Sequence, residues 1–175
     1  MNKENNYLPP DNYQEDRRNK IVNRTSSTNI GLGLLAVVSG FDLGYASLEE
    51  TMLLLEKTMN TIDKLEKWNG HLYNWYNTKT LEPLYPRYVS TVDNGNFIGY
   101  LYTLKEFIIR VIQNENKETQ NYIKAEQLLK QIENIIQTTN FIELYDTEKD
   151  IFSIGFNVEE NKLTAGTAMR ATSTC

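Results

Sequence analysis

Four runs with helical periodicity follow one another in alternating character, and that alternation restricts the fold more than any other feature of the sequence. Residues 30–41, IGLGLLAVVSGF, are apolar or glycine at nearly every position. A helix there has no fully wet face and is expected to be buried on most sides. Ser27 or Thr28 can cap it by accepting bonds from its first free N–H groups. Ser47 and Glu50 form a capping box that opens a second run, extending to about Trp68. Here Leu48, Met52, Leu55, Met59, Ile62 and Leu65 recur at three and four, with charges on the other faces, so this helix is amphipathic. The methionine stripe reads as core packing. Asp93 or Asn94 can cap a third helix, GNFIGYLYTLKEFIIRVIQN, which again carries apolar residues on more than one face. The fourth, from about Glu118 to Thr138, sets Tyr122, Ala125, Leu128, Leu129, Ile132, Ile135 and Ile136 on one side.

Buried, amphipathic, buried, amphipathic is the pattern of helix hairpins arranged in a ring, with one inner and one outer helix per hairpin. The expected fold is therefore mainly all-α, a partial α/α-barrel (α/α toroid) of about four helices. Stacked helical repeats fit less well, because the two buried runs lie about twice the ~34 residues of a tetratricopeptide unit apart and its consensus is missing. Gly31 and Gly33 cost helix propensity and read as close-packing positions, since no strand precedes them to form a phosphate-binding loop.

Short β-prone runs at Phe141 to Tyr145 and Ile151 to Phe156 flank a turn, Asp146 to Asp150, and predict a small C-terminal β-hairpin. Residues 1–26 hold polar residues and the Pro9-Pro10-Asp11 turn signal, and read as an irregular surface segment. Residues 27–163 form the helical domain, and residues 164–175, TAGTAMRATSTC with Thr164 first, are expected to be disordered for want of buriable surface.

The net charge of −5 excludes a nucleic-acid backbone or an anionic membrane as the main partner; Arg17, Arg18 and Lys20 form the one basic cluster and read as a solvated loop. The apolar run is too short for the ~20 residues that cross a bilayer, and the polar N-terminus does not open a signal peptide. With a single cysteine, Cys175, at the last position, the chain reads as soluble and cytoplasmic. One histidine and one cysteine exclude a zinc site or a Cys–His pair, so no metal and no cofactor is expected.

Between the second and third helical runs lies 70–96, GHLYNWYNTKTLEPLYPRYVSTVDNGN, long for a connection and unlike a spacer. His71, Tyr73, Trp75, Tyr76, Tyr85 and Tyr88 alternate there with Asn74, Asn77, Arg87 and Asp93, a mixture suited to a binding surface. The flat faces of Tyr73, Trp75 and Tyr76 can stack on sugar rings while Asn74, Asn77 and Arg87 bond hydroxyls; alternatively some of these rings close the bottom of the barrel. Asp93 reads either as a helix cap or as a sugar contact. His71 reads as a hydrogen-bonded structural residue or as part of the surface. For glycoside chemistry, which needs two carboxyl groups, Glu82, Glu159 and Glu160 are the other acids to weigh, and none stands out.

Five strings taken together resemble, in order and spacing, the glucoamylase-like region of cyclic β-1,2-glucan synthases: LPPDNYQE at 8–15, RTSSTNIGLGLL at 24–35, GHLYNWYNT at 70–78, PRYVSTVDNGN at 86–96 and FSIGFNVEE at 152–160. The resemblance covers roughly Leu8 to Leu163. It implies an α/α-barrel that acts on β-1,2-glucan by transglycosylation or hydrolysis, in membrane-anchored synthases that keep this region on the cytoplasmic side. It also implies substrate contacts at His71, Tyr73, Asn74, Trp75, Tyr76, Arg87, Asp93 and Asn96. After NVEE the family typically continues with a D-x-S-Y-Y-D-L-L-A-S-E-A-R run, where this chain has TAGTAMRATSTC. The expectation is thus a truncated or frameshifted fragment, its catalytic acids unassigned, inactive alone. The competing expectation is a non-catalytic glucan-binding or interaction module, which buries its apolar flank against a second copy or a neighbouring chain carrying the missing helices.

Overall fold

The computed structural model describes residues 1–13, 15 and 21–164. The basic cluster at 17–20 and the tail from 165 to Cys175 lie outside the described residues. Thr164 is described, and its backbone N–H donates to Gly155 O at 2.8 Å.

Four helices carry the fold: α1 (Ser27–Asp42), α2 (Leu48–Lys64), α3 (Thr91–Asn114) and α4 (Gln120–Thr138). They form two hairpins that pack on each other, with α1 against α3, α2 against α4, and α1–α2 and α3–α4 as neighbours. Between them Ile30, Leu34, Met52, Leu55, Met59, Ile62, Leu101, Leu104, Ile108 and Ile132 make a fully buried core. The methionine stripe of α2 belongs to it. Mainly helical architecture with two inner and two outer helices is as the sequence pattern requires.

The boundaries differ at three ends. Ser26, not Ser27 or Thr28, caps α1, because Asn29 sits three residues on, donates its N–H to Ser26 Oγ at 3.3 Å and accepts from Ser26 N at 3.1 Å. Ser90, not Asp93 or Asn94, caps α3: Asp93 N donates to Ser90 Oγ at 3.2 Å, so the helix begins earlier and takes in residues 91–96. Helix α2 stops at Lys64, short of Trp68, because Leu65 is extended and the Lys67 ammonium donates to the carbonyls of Ile62 (2.7 Å) and Leu65 (3.0 Å). Helix α1 is also wetter than expected. It packs on α3 and α2, and Leu32 on the third side stays 49% exposed.

Among the described residues, seven short strands complete the fold: β1 (Arg24–Thr25), β2 (Tyr76–Asn77), β3 (Tyr88–Ser90), β4 (Tyr145–Asp146), β5 (Ile151–Phe152), β6 (Gly155–Asn157) and β7 (Lys162–Leu163). The expected hairpin is present as β4–β5, but shorter than predicted, since Ile142–Leu144 of its first run form a 3-10 turn and only Tyr145 of that run joins the pairing. The second half of its C-terminal run leaves the hairpin at Ser153, and β6 pairs antiparallel with both β3 and β7. Gly155 permits this, since a Cβ there would run into Val89 O and the Tyr88 ring. The N-terminal segment is anchored, not merely draped on the surface: Leu8 is fully buried, and the carbonyls of Asn6 and Tyr7 accept from Thr61 (2.8 Å) and Thr58 (3.3 Å) of α2. No helix of the described residues is long and apolar enough to cross a membrane.

Candidate functional site

The connection from α2 to α3 folds tightly because its backbone is satisfied locally. Trp68 and His71 exchange N–H···O bonds of 3.0 and 2.8 Å, turning at Gly70, whose φ of +83° and contact with the Thr138 backbone exclude a side chain. Asn94, buried in the first turns of α3, then pins the segment: its Oδ1 accepts from Leu72 N at 2.8 Å, and its Nδ2 donates to the carbonyls of Leu72 and Ser90 at 2.9 Å each. Asn74 N donates to Tyr88 O at 2.7 Å, which brings the two halves of the connection side by side.

Between those halves lies a groove of about 380 Å³ lined by Asn74, Trp75, Leu84, Tyr85, Pro86, Tyr88, Ser90, Asp93 and Ile154. Its polar floor is a single pair: Asn74 Nδ2 donates to Asp93 Oδ2 at 2.9 Å. Asn74 Oδ1 is buried and, among the described residues, has no hydrogen-bond partner. Such an acceptor is costly to leave unmet. Tyr85 stands at the rim, 77% exposed.

Of the residues singled out from sequence, Asn74, Trp75, Tyr85, Tyr88 and Asp93 therefore come together in the groove. The others are placed elsewhere. His71 is fully buried; its Nε2 donates to Asn140 O at 2.8 Å, its ring meets Phe141 edge-on, and burial pulls its pKa below the usual value. Tyr73 and Tyr76 are buried behind the groove. Tyr76 Oη accepts from Tyr73 N at 2.9 Å and donates to Glu66 O at 2.5 Å, and burial pushes both phenols up. These two rings belong to the buried core. Arg87 joins Glu159 (2.7 Å) and Glu66 (3.2 Å), and its bond to Glu159 holds that carboxyl below the usual range. Asn96, exposed one turn along α3, donates to Thr28 Oγ1 at 3.4 Å.

Sequence reasoning missed Leu84, Pro86, Ser90 and Ile154 as lining. Leu84 and Pro86 flank Tyr85, whose aromatic character was a usable signal. Ile154 had none, because it arrives from the far end of the chain through the β3–β6 pairing. No group of three or more His, Cys, Asp or Glu among the described residues is placed to hold a metal ion. Asp93 is the one carboxylate among the described residues that line the groove.

Paired inner and outer helices with a groove at the helix ends define the glucoamylase-like α/α-toroid class. A candidate glucoamylase from Bacteroides fragilis NCTC 9343 superposes with a TM-score of 0.73 at 17% identity, over 90% of this chain and 36% of that one. An endo-β-1,2-glucanase from Chitinophaga pinensis superposes at 0.67 and 18% identity, over 85% of this chain and 34% of that one. At such identity these likenesses establish the fold. The sequence adds a particular relative: 98 residues, 56% of this chain, are 53% identical to cyclic beta-(1,2)-glucan synthase NdvB of Rhizobium meliloti (strain 1021). The chain spans 4% of that protein's length. No protein-family model matches the chain. The resemblance carried by the five sequence strings is thus borne out, and the chain has a glucoamylase-like fold.

Proposed function

We propose that the groove binds a β-1,2-linked glucose oligosaccharide, as one wall of a glucoamylase-like site of the kind that acts on β-1,2-glucan by transglycosylation or hydrolysis. The observation that carries this is the Asn74–Asp93 pair set beneath aromatic walls: the half-buried Asp93 carboxylate, oriented by the Asn74 amide, accepts sugar hydroxyls, and the Trp75 ring offers an apolar face. The likeness to NdvB and to β-1,2-glucanase structures supports the choice of glucan. Cleavage or transfer ordinarily takes two carboxyl groups flanking the bond, and the described residues that line the groove offer only Asp93, which is read as a sugar contact. The chain by itself binds without turnover. Its single cysteine fits a reducing compartment, and the proposal places the chain in the cytoplasm. Titrating linear β-1,2-glucan while following products tests the reading; Trp75→Ala abolishes the binding if the indole stacks on sugar.

A second reading is favoured by one face of α3. Val92 and Tyr102 are more than half exposed, and Gly95 and Gly99 between them, at spacings of three and four, have open space beyond their Cα atoms. That stripe suits the close approach of another helix from a second copy of this chain. Sedimentation over a concentration series checks it: dimer formation that Gly99→Glu abolishes supports the interaction module, and a monomer throughout rejects it.

A further inference from the structure

We propose that Arg24 is a positioning residue for the groove: held in place by Asp11, its guanidinium backs the Trp75 indole and fixes that ring as the ligand-facing wall. The identity of the ligand rests on the glucan reading above; the placement of the ring does not. The Arg24 guanidinium carbon lies 4.5 Å from the centroid of the Trp75 ring. Trp75 lines the groove and Arg24 does not, so the cation covers a part of the indole turned away from the cleft.

Both partners are anchored independently of their contact. Arg24 Nε and Nη2 donate to one oxygen, Asp11 Oδ2, at 3.1 and 2.9 Å, and Asn12 Nδ2 donates to the same atom at 3.1 Å. Asp11 N donates to Arg24 O at 2.8 Å, which closes the pair through the backbone, and the Asp11 side chain is only 15% exposed. Arg24 pairs with Asn77 in the β1–β2 ladder, two residues past Trp75, while Trp75 O accepts from Leu84 N at 2.7 Å. The contact is therefore framed by backbone on both sides. A planar guanidinium suits the task, since it lies flat on an indole while its edge stays bonded to a carboxylate; an ammonium does one or the other. Ring ordering that is complete before the ligand arrives is not charged against affinity. Asp11, Asn12 and Arg24, from the segment that read as irregular surface in the sequence, thus supply the back of the site.

The test uses the full chain carrying Trp68→Phe, so that Trp75 is its sole tryptophan. Arg24→Leu, Asp11→Asn and Arg24→Lys are compared by acrylamide quenching and anisotropy of Trp75, and by calorimetric titration with a linear β-1,2-gluco-oligosaccharide. The expected result is stronger quenching and lower anisotropy in Arg24→Leu and Asp11→Asn, with affinity reduced roughly tenfold and only partly recovered in Arg24→Lys. Unchanged quenching in Arg24→Leu and Asp11→Asn overturns the proposal, as does changed quenching with unchanged affinity. If the parent chain itself fails to bind the oligosaccharide, the glucan reading falls, and quenching alone then decides whether Arg24 holds the ring.

Discussion

The side-chain amide of Asn74 donates to the carboxylate of Asp93 at 2.9 Å, tying the turn that presents Trp75 to the first turn of α3. Asp93 also sits where the helix dipole favours a negative charge. Asp93→Ala removes both interactions and leaves the Asn74 amide without its acceptor. The expected outcome is a loss of about 1–2 kcal/mol in urea unfolding and at least a tenfold loss of oligosaccharide affinity by calorimetry. Loss of stability with full affinity would place Asp93 in the scaffold only.

Glycines in the two inner helices are expected to separate by their surroundings. At Gly31 of α1 a Cβ would strike the Tyr100 ring, whereas at Gly99 of α3 nothing lies within 4 Å. Gly31→Ala destabilises by about 1–3 kcal/mol through overpacking. Gly99→Ala stabilises by about 0.5–1 kcal/mol through helix propensity. Chemical denaturation of both variants measures the pair, and equal effects would contradict the α1–α3 packing.

His71 makes folding sensitive to acid. Burial holds its pKa below the usual value in the folded chain, against about 6.5 when unfolded. Because the folded pKa is the lower, its contribution is complete above about pH 6.5 and is lost as pH falls from there toward the folded pKa. Urea unfolding of the parent chain and of His71→Gln at a series of pH values from 7.5 to 5 should show a decline in the parent that is shallower in the variant. Parallel curves would mean that His71 protonates freely in the fold.

Much of the scaffold was legible because helical periodicity is a local signal that burial enforces. The alternation of inner and outer helices, the Ser47–Glu50 box and the β4–β5 hairpin all follow from spacing alone. Cap positions slipped by a residue or more because RTSSTN and VSTVDN each offer several side chains that can accept a helix N–H; Asn29 and Asn94 decide between them by contacts that spacing does not reveal. The groove was half legible. Tyr73 and Tyr76 resemble Trp75 in sequence, yet both rings are buried, with the Tyr76 hydroxyl bonded to Tyr73 N and Glu66 O and the Tyr73 hydroxyl to the Glu66 carboxylate, and only tertiary structure separates an inward ring from an outward one. Arg87 likewise looked like a hydroxyl donor, but Glu159, seventy-two positions away, satisfies its Nε.

The most direct test of the central claim is calorimetric titration of the full chain with linear β-1,2-glucan, beside linear α-1,4-glucan, with the products resolved by chromatography afterwards. The expected result is saturable binding to the β-1,2-linked chain alone, abolished in Trp75→Ala, with the glucan recovered unchanged. Absence of binding, or equal binding to both glucans, would contradict it.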